Sequence, residues 1–532
     1  MSTLLKILLC FIGFVTFYGC SSGDGDLTEE QLEVAESLRD KFGEKSVLVY
    51  GSDTLLAGKS VLEYYASHDF APVWTLPEKL NDQGEQMVSL IAGSRNLGLL
   101  PEMFHYRLLS KMKDSSLLDA EMLLSNAFFL MISHVDLGCI DTGSFEYVWK
   151  ANALNYAIDE ELERVFNGEN PQSIIAEKEP KNWDYQQLKI GLTAFLQDHL
   201  LDTNHFEIPK FRDDSVLCYK VAREALFGHG FIDSTGLEDD SVFLDSLRVF
   251  QLLCGLKDDA IVGRWTGHSL SKSNTDRFLQ AALSMEKWRW KPDTLPSKYF
   301  RVNIPEFTLY FVDNDTLKSK NRVIVGATIT PTPEFSARME TIVTNPVWHV
   351  PYSIASTEIV AAGKKDTSYF SKRNYKVFRD GVEQNVGTID WSKLREGNFP
   401  YRVQQGSGGG NSLGRIKFLF PNLEYVFLHD TPSKYLFGND VRAYSHGCIR
   451  LENPIELGIE LLRCEVNEIA PDTLDSIIFR GQNMAIRLAE PFPVILEYFT
   501  ATGDSAGNII FHPDIYGRDE KFLMNSFARF TK

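Results

Sequence analysis

From residue 28 to about residue 210, apolar side chains recur at spacings of three and four. Leu55 to Tyr65, Gln86 to Ile91 and Leu117 to Leu130 show this period of amphipathic helices most clearly. Asp69-Phe70-Ala71-Pro72-Val73-Trp74 and Gly98-Leu99-Leu100-Pro101 interrupt it and mark breaks between helices. Between Asp213 and Ser271 the pattern predicts three shorter helices, Asp214 to Phe227, Asp240 to Cys254 and Gly263 to Leu270, joined by Gly/Asp-rich turns. A further helix ends near Trp288-Arg289-Trp290. From Tyr299 onward the pattern becomes strand-like, as in Phe300-Arg301-Val302-Asn303-Ile304 and Arg322-Val323-Ile324-Val325-Gly326. These patterns predict a multidomain α+β chain: a tether and helix over 21–44, a helical scaffold over 45–210, a three-helix unit over 211–272, and a β-rich domain over 298–532. Within the last, residues 354–410 read as a mobile lid. This insertion contains Tyr369, Tyr375 and Trp391 and ends in the hinge-like run Gly406-Ser407-Gly408-Gly409-Gly410.

Composition narrows the function classes. The chain has 532 residues, 44% hydrophobic and 24% charged, an ordinary globular mixture long enough for several cores. Its 54 Lys and Arg against 72 Asp and Glu leave a net charge of −18, which repels a phosphate backbone, so nucleic acid is not an expected partner. The glycine run has neither the GxxxxGK[ST] order nor the GxGxxG spacing of nucleotide-binding loops.

The N-terminus points to the cell envelope. Lys6 precedes an apolar run from Ile7 to Tyr18, which is shorter than the roughly 20 residues a membrane-spanning helix needs and therefore reads as residues 1–20 of a secretion signal. Phe17-Tyr18-Gly19-Cys20 resembles a bacterial lipobox, so Cys20 is expected to become the lipid anchor of a periplasm-facing protein. Ser21 after it lacks the inner-membrane retention signal, which favours the outer membrane. Seven cysteines are present, and setting aside Cys10 and Cys20 leaves the odd set Cys139, Cys218, Cys254, Cys448 and Cys464. At least one thiol is then unpaired, while the disulfide state of Cys139 and Cys464 stays open.

Cys448 is the thiol with chemistry around it. His429 closes an apolar strand, and Tyr444-Ser445-His446-Gly447-Cys448-Ile449-Arg450 follows. An imidazole that takes the thiol proton makes sulfur a strong nucleophile, and Arg442 and Arg450 are expected to favour the thiolate. Gly447, lacking a side chain, lets backbone N–H groups approach a substrate carbonyl. Asn453, Pro454 and Glu456 fit the N-cap, N1 and N3 positions of a helix running to about Arg463, whose positive end would follow the cysteine. No second ligand cluster accompanies the His-x-Cys pair, so no metal is expected. Spacing alone does not show that His429 faces Cys448.

Two resemblances extend this reading. FQLLCGLKDDAIVGRWTGHSL resembles the carboxy-terminal part of a peptidoglycan-binding three-helix module, with Ala260 where that module has glycine. HDTPSKYLF followed by RAYSHGCIRL closely resembles the signature of the L,D-transpeptidases with a YkuD-type catalytic domain. Val302 to Pro305, Thr332 to Phe335, Asn345 to Pro351, Asn411 to Phe418 and the tail from Pro493 to Asp519 are similar to segments of its large multidomain subfamily. The resemblance implies Cys448 as the acylated nucleophile and His429 as general base, oriented by the backbone carbonyl of Asp430. It implies an oxyanion hole of the Gly447 and Cys448 N–H groups with His446 beside it, Ser445 as the motif serine, and Arg450 as a substrate-carboxylate ligand. Trp348, Tyr352 and Asn411 are further pocket candidates.

The implied partners are peptidoglycan stem peptides as donor and acceptor, the membrane through the anchor, and carbapenem-type inhibitors; no cofactor is implied. The implied reaction releases D-Ala from a tetrapeptide stem and forms a 3→3 cross-link. L,D-carboxypeptidase activity, transfer to another amine, and a non-catalytic wall-binding lipoprotein are the alternatives.

Overall fold

The computed structural model describes residues 27–50, 53–140, 158–465 and 469–526. The expected signal, lipobox and Cys20 anchor lie outside them. The described chain forms two compact units, one built from residues of 1–88, 107–129 and 157–171, the other from residues of 89–106, 130–156 and 172–532.

The first unit is mainly helical, with helices Glu29–Phe42 and Gly58–Ser67 and a two-stranded ribbon of β1 (Val49–Tyr50) and β2 (Asp53–Thr54). Its entry helix begins in a capping box, in which the Thr28 side chain and that of Gln31 each accept the other's backbone N–H. At its centre Glu121 is fully buried. Its carboxylate accepts hydrogen bonds from Tyr65 OH (2.5 Å), Val73 N–H (2.6 Å), Trp74 N–H (3.1 Å) and Thr75 Oγ1 (2.7 Å).

In the second unit, residues 215–270 form helices Ser215–Gly228, Asp240–Leu253 and Arg264–Leu270 around Cys218, Phe243, Leu247, Phe250 and Val262. A short fourth helix, Ser234–Glu238, joins the three expected ones. Ala260 occupies a left-handed turn with φ +57°, where its N–H donates to the buried Gln251 Oε1 at 2.8 Å.

The β-rich region is a nine-stranded sheet that curls back on itself. Its strands are β3 (Tyr299–Asn303), β4 (Thr308–Asp313), β5 (Thr316–Gly326), β6 (Phe335–Thr344), β11 (Ile416–Leu419), β12 (Leu428–His429), β13 (Ala443–Ser445), β14 (Ile449–Leu451) and β15 (Met484–Glu497). The spatial order is β13-β5-β14-β12-β11-β6-β15-β3-β4, and β4 pairs again with β5 to close the ring. Phe300, Ile342, Ile416, Phe418, Leu428 and Ile449 are buried together in its core.

The insertion carries its own sheet, ordered β7 (Trp348–His349), β10 (Arg402–Gln405), β8 (Tyr375–Arg379) and β9 (Val382–Gln384), and its own core of Val360, Phe370, Val377, Trp391 and Val403. Because Trp348 pairs with Gln405, this folded segment starts earlier than the expected boundary at residue 354. Beyond β15, the ribbon of β16 (Ala501–Gly503) and β17 (Ile509–Phe511) meets helix Asn274–Arg289, where Gln280 donates to the Thr500 and His512 carbonyls.

Candidate active site

Strand alternation builds the site. β12 and β14 run parallel with His429 opposite Arg450, and β11 pairs with β12 so that Lys417 lies opposite His429. Side chains two apart on a strand share a face, so Leu428, Ile449, Ile416 and Phe418 turn into the core. Lys417, His429 and Arg450 therefore turn the other way, with Cys448, two residues before Arg450, beside them. All four line one cavity of about 1120 Å³, together with Trp348, Ser445 and His446. The register thus brings His429 and Cys448 to the lining of one cavity.

His429 is almost fully buried, and its Nδ1 lies 2.5 Å from the Asp430 carbonyl oxygen. A carbonyl only accepts, so Nδ1 carries the proton and Nε2 keeps its lone pair. Burial, reinforced by the Arg450 charge, pushes the imidazole down to about 3, which holds it neutral. The Asp430 side chain has a separate structural task. It accepts from Arg415 N–H (2.9 Å) and Thr431 N–H (2.7 Å) and pairs with Lys434 (2.8 Å). Gly414 has to be glycine there, since a Cβ would meet the carboxylate at 2.2 Å.

The Cys448 thiol rests on the Tyr425 carbonyl at 3.7 Å, and Tyr425 itself is held at φ +56°. Burial pushes the thiol pKa up, opposed by the Phe427 amide, Arg450 and Lys417. The cysteine is therefore a thiol at rest and needs a base. Lys417 and Arg450 have no side-chain hydrogen bond or carboxylate partner among the described residues, and burial pushes both cations' pKa values down. Sequence reasoning missed Lys417. Its only sequence signal was a polar residue inside the apolar run Ile416 to Leu419.

The loop before the nucleophile is braced from the far end of the chain. Thr332 Oγ1 donates to the Gly447 carbonyl (2.8 Å), Thr330 Oγ1 to that of Ser445 (3.0 Å), and Tyr516 OH to that of Gly326 (2.7 Å). Arg518 ties the Thr332 carbonyl (2.9 Å) to Glu334 (2.6 Å). Gly447 adopts φ +110°, which explains the glycine.

Several expectations need correction. The Gly447 N–H, expected in the oxyanion hole, donates to Ser445 Oγ at 3.1 Å, and that hydroxyl in turn donates to the Cys448 carbonyl. Ser445 thus shapes the loop. Asn411 is buried, but its amide donates to the Gln405 (3.1 Å) and Gly406 (2.9 Å) carbonyls and closes the glycine-rich loop instead of facing substrate. Tyr352 is exposed and does not line the cavity, although its neighbours Pro351 and Ser353 do. Arg442 gives its guanidinium to the carbonyls of Val323, Phe307 and Asn439, so its role is structural.

The helix Pro454–Arg463 forms with Pro454 at its start, but Asn453 makes no side-chain cap and β14 separates the helix from Cys448. The described cysteines, Cys139, Cys218, Cys254, Cys448 and Cys464, are all free thiols, and no group of three potential metal ligands occurs among the described residues.

Comparison with known proteins adds two domain matches. Residues 297–458 match the L,D-transpeptidase catalytic domain (YkuD), and residues 59–192 match the Scaffold domain. A curated protein of Haemophilus influenzae, named as a candidate L,D-transpeptidase, is 33% identical over 242 residues, 45% of this chain and 48% of that protein. The match thus spans about half the length of that relative. An L,D-transpeptidase structure from Mycobacterium smegmatis is 13% identical with a TM-score of 0.18, over 38% of this chain and 58% of that one. An LD transpeptidase in complex with imipenem is 11% identical with a TM-score of 0.17, over 38% and 59%.

Proposed function

The chain carries a YkuD-type L,D-transpeptidase catalytic domain across residues 297–458, and from that premise we propose that it forms 3→3 cross-links in peptidoglycan through a thioester on Cys448. The observation that carries this reading is the common sheet face of Lys417, His429 and Arg450 beside Cys448, open to one cavity.

The donor is a tetrapeptide stem whose third residue is a diamino acid followed by D-Ala. Its carboxylates are drawn to Arg450 and Lys417, two cavity-lining cations that make no ion pair among the described residues. His429 Nε2 takes the thiol proton, and sulfur attacks the carbonyl of residue three. With the Gly447 amide engaged by Ser445, the Cys448 N–H is the donor left to meet the oxyanion. His429 then returns the proton to the D-Ala nitrogen as that residue leaves. An amine from a neighbouring stem resolves the thioester. Acylated Cys20 anchors the enzyme to a membrane, the outer one by preference, with the catalytic domain facing the periplasm.

Intact-mass spectrometry of the full chain with imipenem tests the acyl-enzyme. The expected result is a single covalent adduct that peptide mapping assigns to Cys448 and that Cys448→Ala lacks. An adduct that persists in that variant contradicts the assignment.

A further inference from the structure

To the same cavity the insertion contributes a carboxylate that the donor half-reaction does not use. Residues Ala355–Ile359 form one π-helical turn, a widened turn that re-aims neighbouring side chains. From it Glu358 places Oε1 2.6 Å from Nε2 of His446, two residues before the nucleophile. Both side chains remain about half exposed, at 57% and 48%, and both line the cavity that holds Cys448. A carboxylate only accepts, so Nε2 carries a proton in this pair, and in the neutral imidazole Nδ1 is the lone-pair nitrogen.

The second half of the proposed reaction needs such a pair. A primary amine on the acceptor stem arrives as an ammonium, with a pKa of about 10, and attacks only after losing a proton. His429 serves the thiol and the leaving group from its buried position. Arg450 and Lys417 repel an approaching ammonium, which is drawn instead to the carboxylates lining the cavity, Glu358, Glu396 and Glu424, and of these Glu358 is the one bonded to a histidine.

We propose that Glu358 and His446 form the acceptor subsite: the carboxylate binds the incoming ammonium and His446 Nδ1 removes its first proton. The inference rests on the transpeptidase reading above. The neutral nitrogen attacks the thioester carbonyl carbon, the C–N bond forms, and collapse of the tetrahedral intermediate breaks the C–S bond. The second nitrogen proton passes through His429 Nε2 to the departing Cys448 thiolate, while His446 returns the first proton to solvent. The products are the amide and the free thiol, with no change in oxidation state.

The test is the fate of the acyl group. The detergent-solubilised full chain and Glu358→Gln are incubated with purified tetrapeptide muropeptides, and free D-Ala, cross-linked dimer and tripeptide are quantified over a range of substrate concentrations. Gln keeps a hydrogen-bonding partner for His446 but loses the charge, which separates ammonium binding from a mere latch on the insertion. The expected result is a dimer-to-tripeptide ratio lower by about tenfold or more, recovering toward wild type as acceptor concentration rises. A ratio equal to wild type, with D-Ala release unchanged or reduced, would overturn the subsite. Absence of D-Ala release from the wild-type protein would overturn the transpeptidase reading and the subsite with it.

Discussion

Glu121 in the helical unit and the Lys417–Arg450 pair in the cavity are both charges taken largely out of water, and the fold treats them in opposite ways. Burial raises the pKa of Glu121, but donors from Tyr65, Val73, Trp74 and Thr75 surround its carboxylate. Lys417 and Arg450 make no ion pair or side-chain hydrogen bond among the described residues, Arg450 feeling the Glu358 charge only at a distance, and the Arg450 Nε is buried without a hydrogen-bond partner. A saturated buried charge organises the chain around itself. An unsaturated one awaits something from outside, and stability is given up locally to keep it so.

The most severe break in this comparison is Glu121→Leu. It leaves two backbone N–H groups and the Thr75 hydroxyl buried without acceptors, while Tyr65 OH keeps Ser125, and the expected cost is about 3–5 kcal/mol in chemical denaturation.

Acid exposes a second difference. His429 is held neutral in the fold at a pKa of about 3, whereas the unfolded imidazole titrates near ~6.5, so below that pH the unfolded chain binds the extra proton. Its contribution is complete above ~6.5 and is lost as pH falls from there toward about 3, at roughly 1.4 kcal/mol per unit. Between pH 7 and pH 5, wild type should lose about 2 kcal/mol more stability than His429→Asn, measured by urea unfolding of both.

Lys417→Met sharpens the contrast from the other side. Removing a cation without a partner should leave stability within about 0.5 kcal/mol of wild type or raise it, while kcat/KM for tetrapeptide donors falls about tenfold. A stability loss like that of Glu121→Leu would mean that Lys417 is a structural charge after all.

The smallest effect is on the backbone. Gly447 and Ala260 both sit at positive φ, but only the first is glycine, so Ala260→Gly should raise the thermal midpoint by an amount equivalent to about 0.5–1 kcal/mol.

Much of this arrangement was legible in the chain. The apolar run Val323-Ile324-Val325 marked a core strand, Pro454 marked a helix start, and Cys448 stood out because two histidines approach one thiol in sequence. What escaped was whatever depends on strand register or on a folded insertion. Lys417 reaches the site because β11 pairs with β12, and Glu358 because a π turn aims it there; neither pairing is local. Asn411 was misread for a related reason. The resemblance implied a pocket residue, but its amide is taken up in closing the neighbouring glycine-rich loop. The Gly447 amide differs from expectation because Ser445, two residues away, captures it.

The central claim is that Cys448 and His429 carry acyl transfer on a peptidoglycan stem. Its most direct test is mass spectrometry of purified tetrapeptide muropeptides incubated with the full chain, with Cys448→Ala alongside. Dimers that have lost one D-Ala are expected with wild type and none with the variant. Unchanged tetrapeptides with both proteins, or equal turnover by both, would contradict it.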